Sequence, residues 1–185
     1  MESKSVSVDL RRKEEKKKVI EPKVKSIRKE TNKWRFDEKY MELDEQWKLI
    51  QAMDMTTEVC REMRRQIQNK ISSYKMQDIQ KQKYDEAKFV NLDFVINLLR
   101  EKEMKCFYCR ESVYLFYNFV RENKQWTLER IDNSVGHNRD NVEVACLLCN
   151  LRRRTMYHER YVFTKQMNVV KLGADSLSAD SLAES

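Results

Sequence analysis

CFYCRESVYLFYNFVRENKQWTLERIDNSVGHNRDNVEVACLLCNLRRR, residues 106–154, decides how the rest of the chain is read. It opens with Cys106-Phe-Tyr-Cys109 and closes with Cys146-Leu-Leu-Cys149. Two Cys-x-x-Cys pairs place four thiolates where one tetrahedral zinc ion takes them all. Between the pairs lie 36 residues, more than the roughly 15–20 of an ordinary zinc ribbon. The metal therefore closes a loop with content of its own. That content is polar: Glu129, Arg130, Asp132, Asn133, Gly136, His137, Asp140 and Asn141, with Asn150 just past the last cysteine. Four thiolates fill the coordination shell, so this zinc is structural, and catalysis would need a second, oxygen-liganded divalent ion.

Inside the loop, Phe107 and Tyr108 are placed to shield the first knuckle. Residues 113–120 (VYLFYNFV) suit a buried strand or a short helix. Residues 125–132 alternate Trp126, Leu128 and Arg130 against Thr127, Glu129 and Ile131, the period of a strand. Asn133-Ser-Val-Gly136 is turn chemistry, with Gly136 free to take a positive φ. Residues 141–145 alternate again as the returning strand, and a basic helix is expected from Leu151 to about Met167.

The run LERIDNSVGHNRDNVEVACLLCNLRRR with its upstream CxxC resembles the HNH, or ββα-metal, nuclease superfamily. The resemblance covers about residues 103–160. It implies a strand–loop–strand–helix core in which Glu129 and Asn150 hold Mg²⁺ or Mn²⁺ and Asn141 orients the base. The family's base is the His of an Asp-His pair, and that position here is Arg130, which takes no proton at neutral pH. The chain looks like a variant reading Glu-Arg-Ile-Asp followed by Gly-His. His137 is then the candidate base, with an ordinary pKa near 6.5 suited to the task. Asp132 joins or replaces Glu129 as a metal ligand, and Arg130 clamps the scissile phosphate. Arg152, Arg153, Arg154 and Arg160 would track the DNA backbone. His158, two turns beyond Asn150 on the expected helix and roughly 12 Å away, is a phosphate or surface contact.

Outward from the motif, the chain of 185 residues has 36% charged residues and only two Gly and one Pro, which favours long helices over many-turned β architecture. No apolar run is long enough to span a membrane, and the charged N-terminus lacks a signal-peptide core. The expected location is intracellular, cytoplasmic or nuclear, where paired thiols are metal ligands rather than disulfides. Cys60 stands outside the pairs as a buried, inert thiol.

The net charge of +7 is concentrated early: residues 1–40 carry 14 Lys/Arg against 8 Asp/Glu. The run RRKEEKKK at 11–18 reads as a disordered arm, either a phosphate-binding or nuclear-import segment or simply a solvated end. Phe36, Tyr40, Leu43, Trp47, Ile50 and Met53 recur at helical spacing. A second helix, capped by Asp54 or Thr56, carries Val59, Met63, Ile67, Ile71 and Tyr74 on one face and Arg61, Arg64, Arg65, Lys70 and Lys75 on the other. Nothing in these two helices is chemical by this reading. Asn91 caps a third helix with the stripe Phe94, Val95, Leu98 and Leu99.

The expected architecture is thus mainly α with a small α+β zinc module, a ββα-metal core preceded by long amphipathic helices. The parts are a disordered basic arm over 1–35, a helical hairpin or rod over 36–90 and an HNH-like domain over 91–171. A disordered tail over 172–185 repeats Ala-Asp-Ser-Leu. The expected activity is metal-dependent hydrolysis of DNA phosphodiesters, with RNA left open as a substrate and the helical region read as either a homodimerisation hairpin or a target-binding arm. The Arg130 substitution keeps an alternative open, a non-catalytic zinc module that binds nucleic acid or protein.

Overall fold

A computed structural model describes residues 25–53 and 56–167. The basic arm expected over 1–35 lies outside the described residues as far as position 24, and the tail over 172–185 lies outside them entirely. The described chain is mostly helical with one small antiparallel sheet, in the order α1 (Leu43–Ala52), α2 (Glu58–Gln80), α3 (Leu92–Glu101), β1 (Trp126–Arg130), β2 (Val142–Cys146), α4 (Leu147–Arg153) and α5 (His158–Gln166). No helix among the described residues is long and apolar enough to cross a membrane.

α2 carries the scaffold. Thr57, one residue later than expected, caps it by accepting from the Cys60 amide. Its stripe Val59, Met63, Ile67 and Ile71 is buried, each side chain contributing about 1.5–3 kcal/mol. Asn91 caps α3 by accepting from the Phe94 amide at 2.9 Å. One apolar cluster joins α1, α2, α3, both strands, the first cysteine knuckle and Tyr161 of α5, so the described residues of the expected helical region and of the expected HNH-like domain share a core.

Three expectations are corrected. The helical spacing from Phe36 does not make one helix to Met53: only Leu43–Ala52 is α-helical. Phe36 and Tyr40 lie outside it, Phe36 packing on Phe116 at 4.9 Å between ring centroids. Residues 113–120 are neither strand nor helix. At their centre the main chain is satisfied instead by Gln46, fully buried on α1, whose Oε1 accepts from the Leu115 and Phe116 amides and whose Nε2 donates to the Phe116 carbonyl. The expected 151–167 helix is two. Arg154, at φ 51°, breaks it, and α5 folds back over the knuckle.

β1 and β2 pair in register from Trp126–Cys146 to Arg130–Val142. The outer edge of β1 is covered by α2: Lys70 Nζ donates to the Trp126 carbonyl, and the Leu128 amide donates to Tyr74 Oη at 3.1 Å. A covered edge cannot template pairing with another chain. Here it also fixes the C-terminal half of α2 beside the loop between the strands.

Candidate metal centre and adjoining pocket

The four cysteines arrive from two places. Cys106 and Cys109 sit on a knuckle just after α3, turned by the Arg110 amide bonding to the Cys106 carbonyl at 2.9 Å. The Phe107 amide donates to Val144 of β2, which docks the knuckle on the sheet. Cys146 ends β2 and caps α4, and Cys149 lies in the first turn of that helix. The four sulfurs lie within 4.8 Å of one another, and Cys109 Sγ is 3.9 Å from Cys146 Sγ. A tetrahedral ion with metal–sulfur bonds of about 2.3 Å separates its ligands by about 3.8 Å. The tetrad is therefore positioned to bind a metal ion, and its all-thiolate donor set is the one zinc takes in structural sites. Among the described residues it is the one group of three or more His, Cys, Asp or Glu with ligand atoms so close.

Aromatic rings close the outside of the tetrad. Tyr108 is fully buried, Tyr161 packs edge-on against it at 4.8 Å, and His158 stacks on Phe107 at 4.9 Å. His158 Nδ1 pairs with Tyr108 Oη at 3.1 Å. Expected as a phosphate or surface contact, His158 is part of this shield, because the break at Arg154 moves it off the α4 axis.

Beside the metal centre lies a polar pocket of about 280 Å³. Its lining includes Glu129 and Arg130 of β1, Asn133 and His137 of the inter-strand loop, Asn150, Leu151 and Arg154, and Tyr74, Gln77 and Lys81 from α2. Of the expected site residues, Glu129, Arg130, His137 and Asn150 meet here, and Asp132 and Asn141 do not line it. Asp132 is exposed. Its carboxyl is held below the ordinary value chiefly by the Ser134 backbone amide, which donates to it at 2.7 Å. Asn141 braces the loop that carries His137: its Nδ2 donates to the Asp132 and Gly136 carbonyls, and its Oδ1 accepts from the Asp132 amide.

Glu129 is buried and ion-paired to Arg153, whose guanidinium also donates to the Arg130 and Ile131 carbonyls. Burial pushes the Glu129 carboxyl above its ordinary value, and Arg153 opposes the shift. Arg153, expected on the DNA backbone, is thus turned inward and only 2% exposed, where it ties the end of β1 to α4. Arg152, Arg154 and Arg160 are exposed. Asn150 donates through Nδ2 to Thr127 Oγ1 at 3.1 Å, which leaves Oδ1 as its remaining acceptor.

His137 is 4% exposed. Asp78, fully buried on α2, holds it twice: one carboxylate oxygen accepts the His137 amide at 2.6 Å, and the other lies 2.9 Å from the ring Nδ1. Tyr74 stacks on the imidazole at 4.5 Å. Burial lowers the His137 pKa, Asp78 works against that shift, and Arg130 and Lys81 add to it. Burial thus disfavours the imidazolium, and a Nδ1 bonded to Asp78 leaves Nε2 as the atom free to take a proton.

Asp78 and Tyr74 were missed in the sequence because α2 reads as scaffold. The signal was present: Asp78 continues the spacing Ile67, Ile71, Tyr74 along the apolar stripe. A carboxylate there requires a partner.

Gly136 does not take the positive φ expected of it. Its role is space. A Cβ at this position would lie 2.9 Å from Asp78 Oδ2 and closer still to the Lys83 carbonyl oxygen. Gly136→Ala is expected to cost about 1–3 kcal/mol in urea unfolding through this overpacking. An unchanged midpoint would show that the α2 terminus yields without strain.

Fold and site define a class in coarse terms, an α+β chain built on a four-cysteine cluster positioned for a metal ion. Comparison with known protein families, with curated proteins and with solved structures finds no match.

Proposed function

We propose that the chain is a metal-dependent endonuclease of the HNH type that hydrolyses DNA phosphodiester bonds in the pocket beside the cysteine tetrad. The observation that carries this reading is the convergence of an Asp78-held His137 with Glu129, Arg130 and Asn150 on one small cavity. Phosphodiester hydrolysis needs a base for water, positive charge for the phosphate, and a fixed orientation for the base. His137 is the base, Asp78 and Tyr74 fix its ring, and Arg130, Lys81 and Arg154 supply charge at the pocket.

Mg²⁺ in such sites is held by one or two carboxylates with the substrate phosphate, and Glu129 and Asn150 Oδ1 are the groups in this pocket that would hold it. When bound, the ion would neutralise charge on the phosphate and the leaving oxygen. Asp132 has no part in this version, and Arg153 acts by holding Glu129. Arg152 and Arg160 remain the backbone contacts, giving salt-dependent affinity. RNA as a substrate and a dimer through the helical region are further expectations of this reading.

The Glu129–Arg153 pair favours a second reading, a non-catalytic metal-stabilised module that binds nucleic acid or protein, because Arg153 takes the carboxylate an ion would use. Supercoiled plasmid separates the two. With Mg²⁺ or Mn²⁺ the protein is expected to nick the plasmid, and Asn150→Ala is expected to lower the rate by about a hundredfold, the scale of a lost group that acts in the transition state. Plasmid binding without nicking, by metal-loaded and folded protein, selects the second reading.

A further inference from the structure

A second, larger cavity of about 710 Å³ adjoins the polar pocket, and Leu151 lines both. Its chemistry is mixed in a specific way. Ile27, Val120 and Leu151 stand 58%, 48% and 52% exposed on its walls, an apolar surface that the described chain leaves uncovered. Around it are three cations, Arg28, Lys29 and Arg121, against one carboxylate, Glu30. Arg28 is fixed on the cavity wall, its guanidinium lying over the Tyr117 ring at 4.0 Å and donating to the Tyr117 carbonyl and to Gln66 Oε1, so that its charge stands at a set place beside the apolar walls.

The segment carrying Ile27 is firmly placed for this purpose. The Arg28 amide bonds to the Asn118 carbonyl at 2.8 Å and the Val120 amide to the Ser26 carbonyl at 2.9 Å. The N-terminal segment is thereby clamped to the loop that follows the first knuckle. One wall of the cavity thus comes from each segment, and α4 supplies the third.

Along its length, blunt duplex DNA offers such a cavity no base faces, because these are stacked inside. Unpaired nucleotides offer both an anionic backbone for the rim and apolar faces for the walls. A cavity of this size takes a ligand of one or two nucleotides, within the roughly 300–1,000 Å³ of ordinary ligand sites.

We infer that this cavity is a subsite for unpaired nucleotides, so that the chain acts on DNA of single-stranded or branched character in preference to blunt duplex. The inference rests on the nuclease reading only for the placement of the scissile phosphate next door. Binding itself is independent of it.

The test uses the full, metal-loaded chain without chelator and without added Mg²⁺, with fluorescein-labelled DNA read by anisotropy. A single strand and a duplex bearing a single-stranded flap are expected to bind about tenfold more tightly than the blunt duplex of the same sequence, the scale of one stacked base. The double variant Ile27→Ser, Val120→Ser is expected to bring all three to parity. It should leave duplex affinity and its salt dependence unchanged, because the cations remain. Both side chains are exposed, and circular dichroism with metal content verifies the fold. Equal affinities in the unaltered protein, a preference that survives the double variant, or no DNA binding at all would each overturn the inference. Preference without nicking under Mg²⁺ leaves the subsite standing and removes the nuclease reading. Nicking without preference does the reverse.

Discussion

Cys146→Ser is expected to release the metal from the tetrad and to lower the melting temperature by more than about 10 °C. The residue does three things at once. It ends β2, its sulfur caps α4 by accepting from the Cys149 amide, and it stands 3.9 Å from Cys109 Sγ across the cluster. A structural zinc contributes on the order of 10–16 kcal/mol of apparent folding free energy in small modules. Whole domains are stable by only about 5–15 kcal/mol. For a chain of this length each kilocalorie per mole moves the midpoint by roughly 2–4 °C, so losing about half of the metal's contribution gives the stated shift. The damage should be local first. α5 and the knuckle are held to each other by Tyr108, Tyr161 and Phe107 around the sulfurs, whereas α1–α3 retain their own apolar contacts. Elemental analysis should find about one zinc per chain before the substitution and almost none after it, and chelation of the unaltered protein should reproduce the shift. Chelated protein that is free of metal yet melts where it did before would take the ion out of the fold's stability. Cys60, buried on α2 and outside the tetrad, is the control: Cys60→Ala should leave the metal in place.

The tetrad was legible because ligand spacing is a local property, and so were the two strands, whose alternation survives burial. The Asn91 cap was legible for the same reason. What escaped is tertiary in origin. Phe36 and Tyr40 keep helical spacing with α1, but packing on Phe116 outweighs the small gain of extending a helix. The VYLFYNFV run has no periodicity to betray that Gln46, about seventy positions earlier, would supply its hydrogen bonds. The break at Arg154 has no Gly or Pro to announce it. It follows from aromatic packing of α5 on the knuckle. Arg153 sits within a run of three arginines that reads as a phosphate contact, and only the fold shows that one of the three faces Glu129. The helical half looked inert because stripes of apolar residues hide the single acid among them.

That acid is where the helices reach the inter-strand loop of the cysteine module. Asp78 reaches the inter-strand loop only because Lys70 and Tyr74 bind the outer edge of β1, and because Gly136 leaves room for the approach. The cysteine tetrad marks one side of the pocket, on β2 and α4. α2 fixes the other. Neither half alone holds both Asn150 and His137 in place.

The pair Asp78–His137 carries the last prediction. On the nuclease reading, His137→Ala should lower the nicking rate by about a hundred- to ten-thousandfold, the usual contribution of a positioned base. Asp78→Asn should cost less, about ten- to a hundredfold in kcat, because the amide oxygen still accepts from the loop while the charge that fixes the ring is gone. The pH dependence separates orientation from simple damage. His137 titrates below its ordinary value because burial disfavours the cation, with Arg130 and Lys81 adding to that and Asp78 resisting it. Tyr74, stacked on the ring, brings no charge of its own. A histidine lowered in this way contributes stability above its unfolded pKa of about 6.5 that is lost as pH falls through its folded value. The acid limb of kcat/KM should follow the same group. Removing the Asp78 charge removes the one influence holding the pKa up, so in Asp78→Asn the limb moves to lower pH while the plateau falls. The acid-induced loss of melting temperature should deepen in the same variant, a readout that needs no catalysis. A limb that stays in place, or moves to higher pH, would mean that another group takes the proton and that Asp78 merely anchors the loop.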